Sequence, residues 1–159
     1  MIRYIKKYYP ESIEAPDDSA LRDRRIIQDF MEGELDVNLR NQIELSVRNI
    51  VKEEDISVVC FIPGSTRAKT ILRFGELSSE LSFSLECDVF LDAITLQADA
   101  DPITHEPIYH CKSERVKGKN VLIIGGVYTH EQHHASVSRL VLGYGAKKVE
   151  ELYIAKIVN

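Results

Sequence analysis

Asn120-Val-Leu-Ile-Ile-Gly-Gly-Val-Tyr-Thr129 sets the frame for reading this chain. Val121 to Ile124 are an apolar, branched run of the kind that suits a strand buried on both faces of a parallel sheet. Gly125-Gly126-Val127-Tyr128-Thr129 reads as the turn after that strand. A helix is predicted from about Glu131 to Tyr144, with Val137, Leu140, Val141 and Tyr144 facing inward. Gly145 stands where helices often end in a left-handed residue. Lys148 to Val158 then reads as a last strand.

Working upstream, Ile56-Ser-Val-Val-Cys-Phe-Ile62 is a second almost continuous apolar run. Pro63-Gly64-Ser65-Thr66 breaks it, and a helix is predicted next with Ile71, Phe74, Leu77 and Leu81 inward. Cys87 to Leu96 is expected to be another strand, and the polar stretch from Asp99 to Val116 a long loop or flap. Near the start, Ile2 to Tyr9 reads as an edge strand stopped by Pro10. Asp18 or Ser19 is expected to cap a helix reaching about Gly33, with Leu21, Ile26, Ile27 and Phe30 as its stripe. Asp36 can cap a second helix whose Leu39, Ile43, Val47, Ile50 and Val51 recur at helical period. Strands alternating with helices predict an α/β fold, a doubly wound, mostly parallel sheet with N-terminal helices. One domain over 1–159 is expected, with residues 1–55 as an N-terminal helical part and 56–159 as the sheet core. Ligands of such sheets bind at the carboxyl ends of the strands, here Pro63–Arg67 and Gly125–His130.

Bulk properties narrow the function classes. A net charge of −5 argues against a general nucleic-acid or anionic-membrane binder, which needs a positive face. No apolar run approaches membrane-spanning length, and the start has no apolar core of a secretory signal. Cys60, Cys87 and Cys111 are an odd count without a CxxC pair, which suits a reducing compartment, so a cytoplasmic protein is expected.

Val121-Leu-Ile-Ile-Gly-Gly-Val-Tyr-Thr129, a helix, and then Leu142-Gly-Tyr-Gly-Ala-Lys-Lys-Val149 resemble the signature region of type I phosphoribosyltransferases. Phe61-Ile-Pro-Gly-Ser-Thr-Arg67, with Arg73-Phe74 and Leu77, is similar to the first ligand loop and helix of the competence-associated (ComF-like) branch. The resemblance covers roughly Ile56 to Val158. It implies a site for phosphoribosyl pyrophosphate, with magnesium in an active enzyme. In active members two acids hydrogen-bond the ribose hydroxyls, and those positions here are Gly125 and Gly126. A hydrogen bond to a charged group contributes about 1.5–3 kcal/mol, so losing two weakens binding by on the order of a hundredfold or more. Thr129 matches the first Thr of the family loop and His130 follows it, while Glu131 stands where the family has Gly. A carboxylate there would repel a phosphate, although acids in a first helical turn are also common because they suit the helix dipole.

The candidate ligand-binding set is therefore Gly64, Ser65, Thr66, Arg67, Gly125, Gly126, Thr129 and His130. No residue is assigned a catalytic role. Pro63 to Lys69 offers a helix start, hydroxyls and two cations to an anion; the plainer reading is Ser65 as a helix cap with Arg67 and Lys69 solvated. Four functions stay open. The leading one is a degenerate transferase fold that binds a nucleotide, another phosphate-bearing small molecule or a protein partner. The second is an active transferase with ribose contacts displaced to Asp88, Asp92, Asp99 or Asp101. The third is a zinc hydrolase, because His130-Glu131-Gln132-His133-His134 matches H-E-x-x-H, with His130 and His134 as metal candidates. That motif sits at a helix start without an evident third ligand, so zinc is not expected. His105, His110, Cys111 and Cys87 match no established zinc spacing either. The fourth is an interaction module, for example a homodimer through the N-terminal helices.

Overall fold

The computed structural model describes residues 2–128 and 132–159, with the backbone alone described at 132–136. Five strands form one parallel sheet: β1 (Ile2–Tyr8), β2 (Val58–Phe61), β3 (Asp88–Phe90), β6 (Asn120–Tyr128) and β7 (Lys148–Ile157), in the order β1-β7-β6-β2-β3. A separate antiparallel hairpin pairs β4 (Ile94–Leu96) with β5 (Tyr109–Cys111). The helices are α1 (Asp18–Met31), α2 (Val37–Glu53), α3 (Arg67–Ser84), the short α4 (Ser113–Val116) and α5 (Gln132–Gly143). The doubly wound, mostly parallel α/β architecture is the one the alternation of patterns predicts. The N-terminal part contributes a strand as well as helices, since β1 pairs with β7 from Ile2↔Glu151 to Tyr8↔Ile157.

Alternate residues of a strand point to opposite faces, and both faces of the central strands are apolar. On one face Val59, Phe61, Leu122, Ile124, Leu152 and Ile154 pack under α1, α2 and α3, against Phe30, Leu39, Ile43, Val47, Phe74, Leu77 and Leu81. Phe74 stacks at 5.0 Å from Phe61 and edge-on at 5.8 Å from Phe30, which ties α3 to both the sheet and α1. On the other face Val58, Cys60, Val121, Ile123 and Tyr153 meet Val137 and Val141 of α5, together with Ile94, Cys111 and Val116. Each large side chain so buried contributes roughly 1.5–3 kcal/mol. Cys60 is fully buried, and desolvation pushes its thiol well above the usual range, which makes it an inert core residue.

Local chemistry sets the ends of the elements, with some departures from the sequence expectation. Asp17, rather than Asp18 or Ser19, caps α1 by accepting from Ala20 N–H at 2.8 Å. Asp36 caps α2 as expected, accepting from Leu39 N–H at 3.0 Å. Leu21 and Tyr144 are exposed rather than inward, because the buried stripe of each helix is narrower than the apolar pattern. Cys87–Leu96 is not one strand: β3 ends at Phe90 and β4 turns away into the hairpin. The expected flap from Asp99 to Val116 contains β5 and α4, which fold it back over the sheet. Gly145 ends α5 with φ +103°, a conformation that costs glycine little, and its carbonyl accepts from Gly118 N–H at 2.7 Å.

No helix among the described residues is long and apolar enough to cross a membrane. Replacing Asp36 with Ala leaves the Leu39 N–H uncapped at the start of the longest N-terminal helix. Chemical denaturation is expected to show a loss of about 1 kcal/mol; an unchanged midpoint would show that the cap contributes nothing.

Candidate functional site

The ladder between β2 and β6 stops at Phe61↔Ile124, with one further bond from Ile62 N–H to Ile124 carbonyl at 2.9 Å. Beyond it the two chains part. β2 leads into α3 on one face of the sheet, and β6 leads into α5 on the other. Such a divergence opens a crevice at the carboxyl ends of the strands, the usual ligand position in open α/β sheets.

The β2 side of the crevice is a tightly latched loop. Thr66, not Ser65, caps α3, its Oγ1 accepting from Lys69 N–H at 3.1 Å. Thr70 is buried one turn on. Its Oγ1 accepts from Gly64 N–H at 2.9 Å and donates to the Thr66 carbonyl at 3.0 Å. Lys69 Cβ would lie 3.2 Å from a Cβ at Gly64, so the loop closes against the helix at a glycine. This leaves the N–H groups of Arg67 and Ala68 as uncapped donors of the first turn, beside the exposed Ser65 and Arg67 side chains. Thr70 is a loop-latching residue that sequence reading missed. The available signal was a hydroxyl four residues after the cap, where it can bond back to the preceding turn.

This loop forms one wall of a cavity of about 350 Å³. Pro63, Gly64, Ser65, Thr66, Arg67 and Thr70 supply its polar side, and Ile71, Leu91, Ile94 and Leu96 an apolar side. Ile71, expected to face the core, is 49% exposed because it points into this space. The hairpin brings Ile94 and Leu96 over the loop. Asp92 and Lys112, which flank the hairpin, are joined by a 2.7 Å ion pair at the cavity edge. Lys112 holds the Asp92 carboxyl below the usual carboxylate range. Of the four candidate displaced acids, Asp92 lines this cavity with its charge already answered. Asp88 begins β3 at the level of Val58 and Val121, the far end of the sheet. Asp101 accepts from Ile103 and Thr104 N–H at 2.8 and 2.9 Å, which holds its own turn. Asp99 lies exposed in the same loop region.

Gly125 and Gly126 lie on the neighbouring strand and are not part of the cavity lining. Gly125 is buried, and a Cβ built there would fall 2.5 Å from Tyr153 Cε1 and 3.1 Å from Ile62 Cδ1. The Tyr153 ring, packed 4.9 Å from that of Tyr128, occupies the place of a side chain at Gly125. Its hydroxyl donates to Glu151 at 2.8 Å, and burial followed by the Glu151 charge pushes the phenol strongly upward. A Cβ at Gly126 would meet Met31 Sδ at 3.0 Å and Arg73 Cδ at 3.9 Å. The last two members of the set, Thr129 and His130, lie outside the described residues, as do Glu131 and the His133 and His134 side chains. Among the described residues no group of three His, Cys, Asp or Glu is placed to hold a metal ion. His110 pairs with Gln97 at 3.1 Å on the hairpin.

No family model matches the sequence, and no curated protein matches it. Among solved structures, the chain matches the crystal structure of purine phosphoribosyltransferase from Pyrococcus horikoshii Ot3 with a TM-score of 0.50. The fold is that of a phosphoribosyltransferase. The match covers 78% of this chain and 89% of that one at 15% identity, so the likeness is one of architecture.

Two measurements check this geometry. Gly125→Ala forces a methyl group into the Tyr153 ring, and overpacking of this kind is expected to cost about 1–3 kcal/mol; a stable variant would mean that the ring yields freely. Lys112→Met removes the partner of Asp92. Because the Asp92 pKa is lowered, the pair stabilises the folded state above the ordinary carboxylate range and stops doing so as pH falls through the lowered value. A partly exposed pair contributes under about 1 kcal/mol. Wild type and variant should therefore differ slightly at neutral pH and converge in acid, and a difference that grows on acidification would contradict the assignment.

Proposed function

We propose that this protein binds a phosphate-bearing small molecule in the cleft at the end of β2 and does not transfer a phosphoribosyl group. The observation that carries this reading is the Tyr153 ring over Gly125. The resemblance puts the first ribose-gripping acid at that position, and the space for its side chain is filled. The neighbouring Gly126 also lacks a carboxylate. The β2 loop, by contrast, keeps what an anion needs. It has two uncapped N–H donors at a helix start, the Ser65 hydroxyl and the Arg67 guanidinium. The apolar side made by Ile71, Leu91, Ile94 and Leu96 suits the organic part of a ligand.

Magnesium, which an active member of the resembled family would use, does not fit the described residues. A hard divalent cation needs free carboxylate or other oxygen donors. Asp92 is the carboxylate in the cavity lining, and Lys112 already neutralises it. The binding reading therefore requires no metal.

Ligand binding to the folded state raises stability by mass action, by about 2.7 kcal/mol at a hundred times Kd. Thermal unfolding in the presence of pyrophosphate is expected to shift upward, and Arg67→Ala to weaken that binding about ten- to hundredfold, as loss of a charged hydrogen bond does. Incubation with labelled phosphoribosyl pyrophosphate and the common bases should release no pyrophosphate. Base-dependent release would overturn the proposal. A flat response to pyrophosphate and nucleotides would move the function to a protein partner.

A further inference from the structure

The crevice has a second polar group on its α1–α3 side that the binding reading does not use. Arg73 projects from α3 so that its Cδ lies 3.9 Å from the place of a side chain on Gly126, beside Met31. The residue is half-buried, and its Nε is enclosed with no hydrogen-bond partner. Desolvation disfavours its charged form. Glu32 supports that charge through space but makes no ion pair with it among the described residues. An enclosed Nε–H without an acceptor is unfavourable, whereas an unbranched apolar side chain of similar length would fill the same space without leaving a donor unsatisfied. Packing therefore accounts for the stem of Arg73 and not for its charge.

We propose that Arg73 is an anion-recognising residue, and that the ligand of this cleft carries a phosphate or carboxylate near Gly126, where phosphoribosyltransferase substrates carry vicinal hydroxyls. The inference rests on the binding reading above and narrows its ligand class. The two strand ends differ in what they present. At β2, the Arg67 loop offers backbone donors and a guanidinium to one phosphate. At β6, the surface that would be acidic in the resembled family has no side chain at Gly125 or Gly126 and a cation beside it. β2 and β6 are paired at about 4.8 Å up to Phe61↔Ile124, and the two ends lie just past that point. A single small molecule with two acidic groups, such as a nucleoside bisphosphate, can span both. A carboxylate pair grips a neutral diol by accepting from its hydroxyls, and Arg73 can only donate. The polarity of this corner is thus reversed.

The test compares adenosine 3′,5′-bisphosphate with adenosine 5′-monophosphate, which keeps its 2′,3′-diol, by calorimetric titration of the whole chain. Wild type is expected to prefer the bisphosphate by about tenfold or more, the value of one charged hydrogen bond. Arg73→Met keeps the apolar stem and removes the charge. It is expected to abolish that preference while leaving the unfolding temperature unchanged or higher. Arg67→Met should weaken both nucleotides and keep the preference. A preference that survives Arg73→Met, a wild type that favours the diol, or an Arg73→Met variant that unfolds earlier with unaltered affinities would each overturn the inference. If pyrophosphate binds and neither nucleotide does, this inference falls and the binding reading stands. If pyrophosphate also fails to bind, both fall.

Discussion

β6 is the strand on which the rest of the molecule depends. It is hydrogen-bonded to β2 on one edge and to β7 on the other, and its side chains are buried on both faces. A strand so enclosed cannot present polar side chains within the sheet without leaving them unsatisfied. Val121 to Ile124 are accordingly all apolar, and α3 and α5 must cross to opposite faces to cover them. The crevice where those crossovers diverge follows from this enclosure. It arises because the β2 ladder is shorter than the β7 ladder, so β6 runs on past Ile124 with one edge open.

That open edge is where β6 carries two successive glycines, Gly125 and Gly126. The β7 ladder continues to Tyr128↔Lys156, so residues of β7 lie alongside both glycines. Tyr153 is the register partner of Gly125, and its ring lies over that glycine. A tyrosine there needs a hydrogen-bond acceptor for its hydroxyl, and Glu151, two residues back on the same strand face, provides one. Gly125, Tyr153 and Glu151 thus form a consistent set: the glycine makes room, the ring fills it, and the carboxylate satisfies the ring's polar end. On the opposite face Gly126 gives room in the same way to Met31 and Arg73.

Much of the architecture was legible because it depends on short-range pattern. The apolar runs around Val59 and Leu122 mark buried strands by composition alone, and Asp36 and Gly145 mark helix ends by local stereochemistry. What was illegible depends on contacts distant in sequence. Nothing near Gly125 in the chain announces Tyr153, since the two meet only through strand pairing. The hairpin was hidden because its strands are three residues each and separated by a polar stretch that reads as loop. Thr70 was hidden because a hydroxyl four residues after the cap signals only a bond back to its own helix, and its value comes from the Gly64 N–H that the loop brings to it. The candidate binding loop was therefore visible as a segment, while its latch, its apolar wall and the cation beside Gly126 required three dimensions.

The placement of β1 at the sheet edge beside β7 carries a consequence for biogenesis. Ile2 pairs with Glu151, and the Val158 N–H reaches back to the Tyr8 carbonyl at 2.8 Å. During synthesis the first strand therefore emerges long before its partner exists. Joining partners so far apart closes a loop of nearly the whole chain, and that closure is entropically unfavourable until the intervening strands have formed. Docking of β1 is thus expected late in folding, which would leave Ile2, Tyr4 and Ile5 without strand partners until then. The lysines of β1, Lys6 and Lys7, discourage that segment from pairing with other nascent copies before β7 arrives.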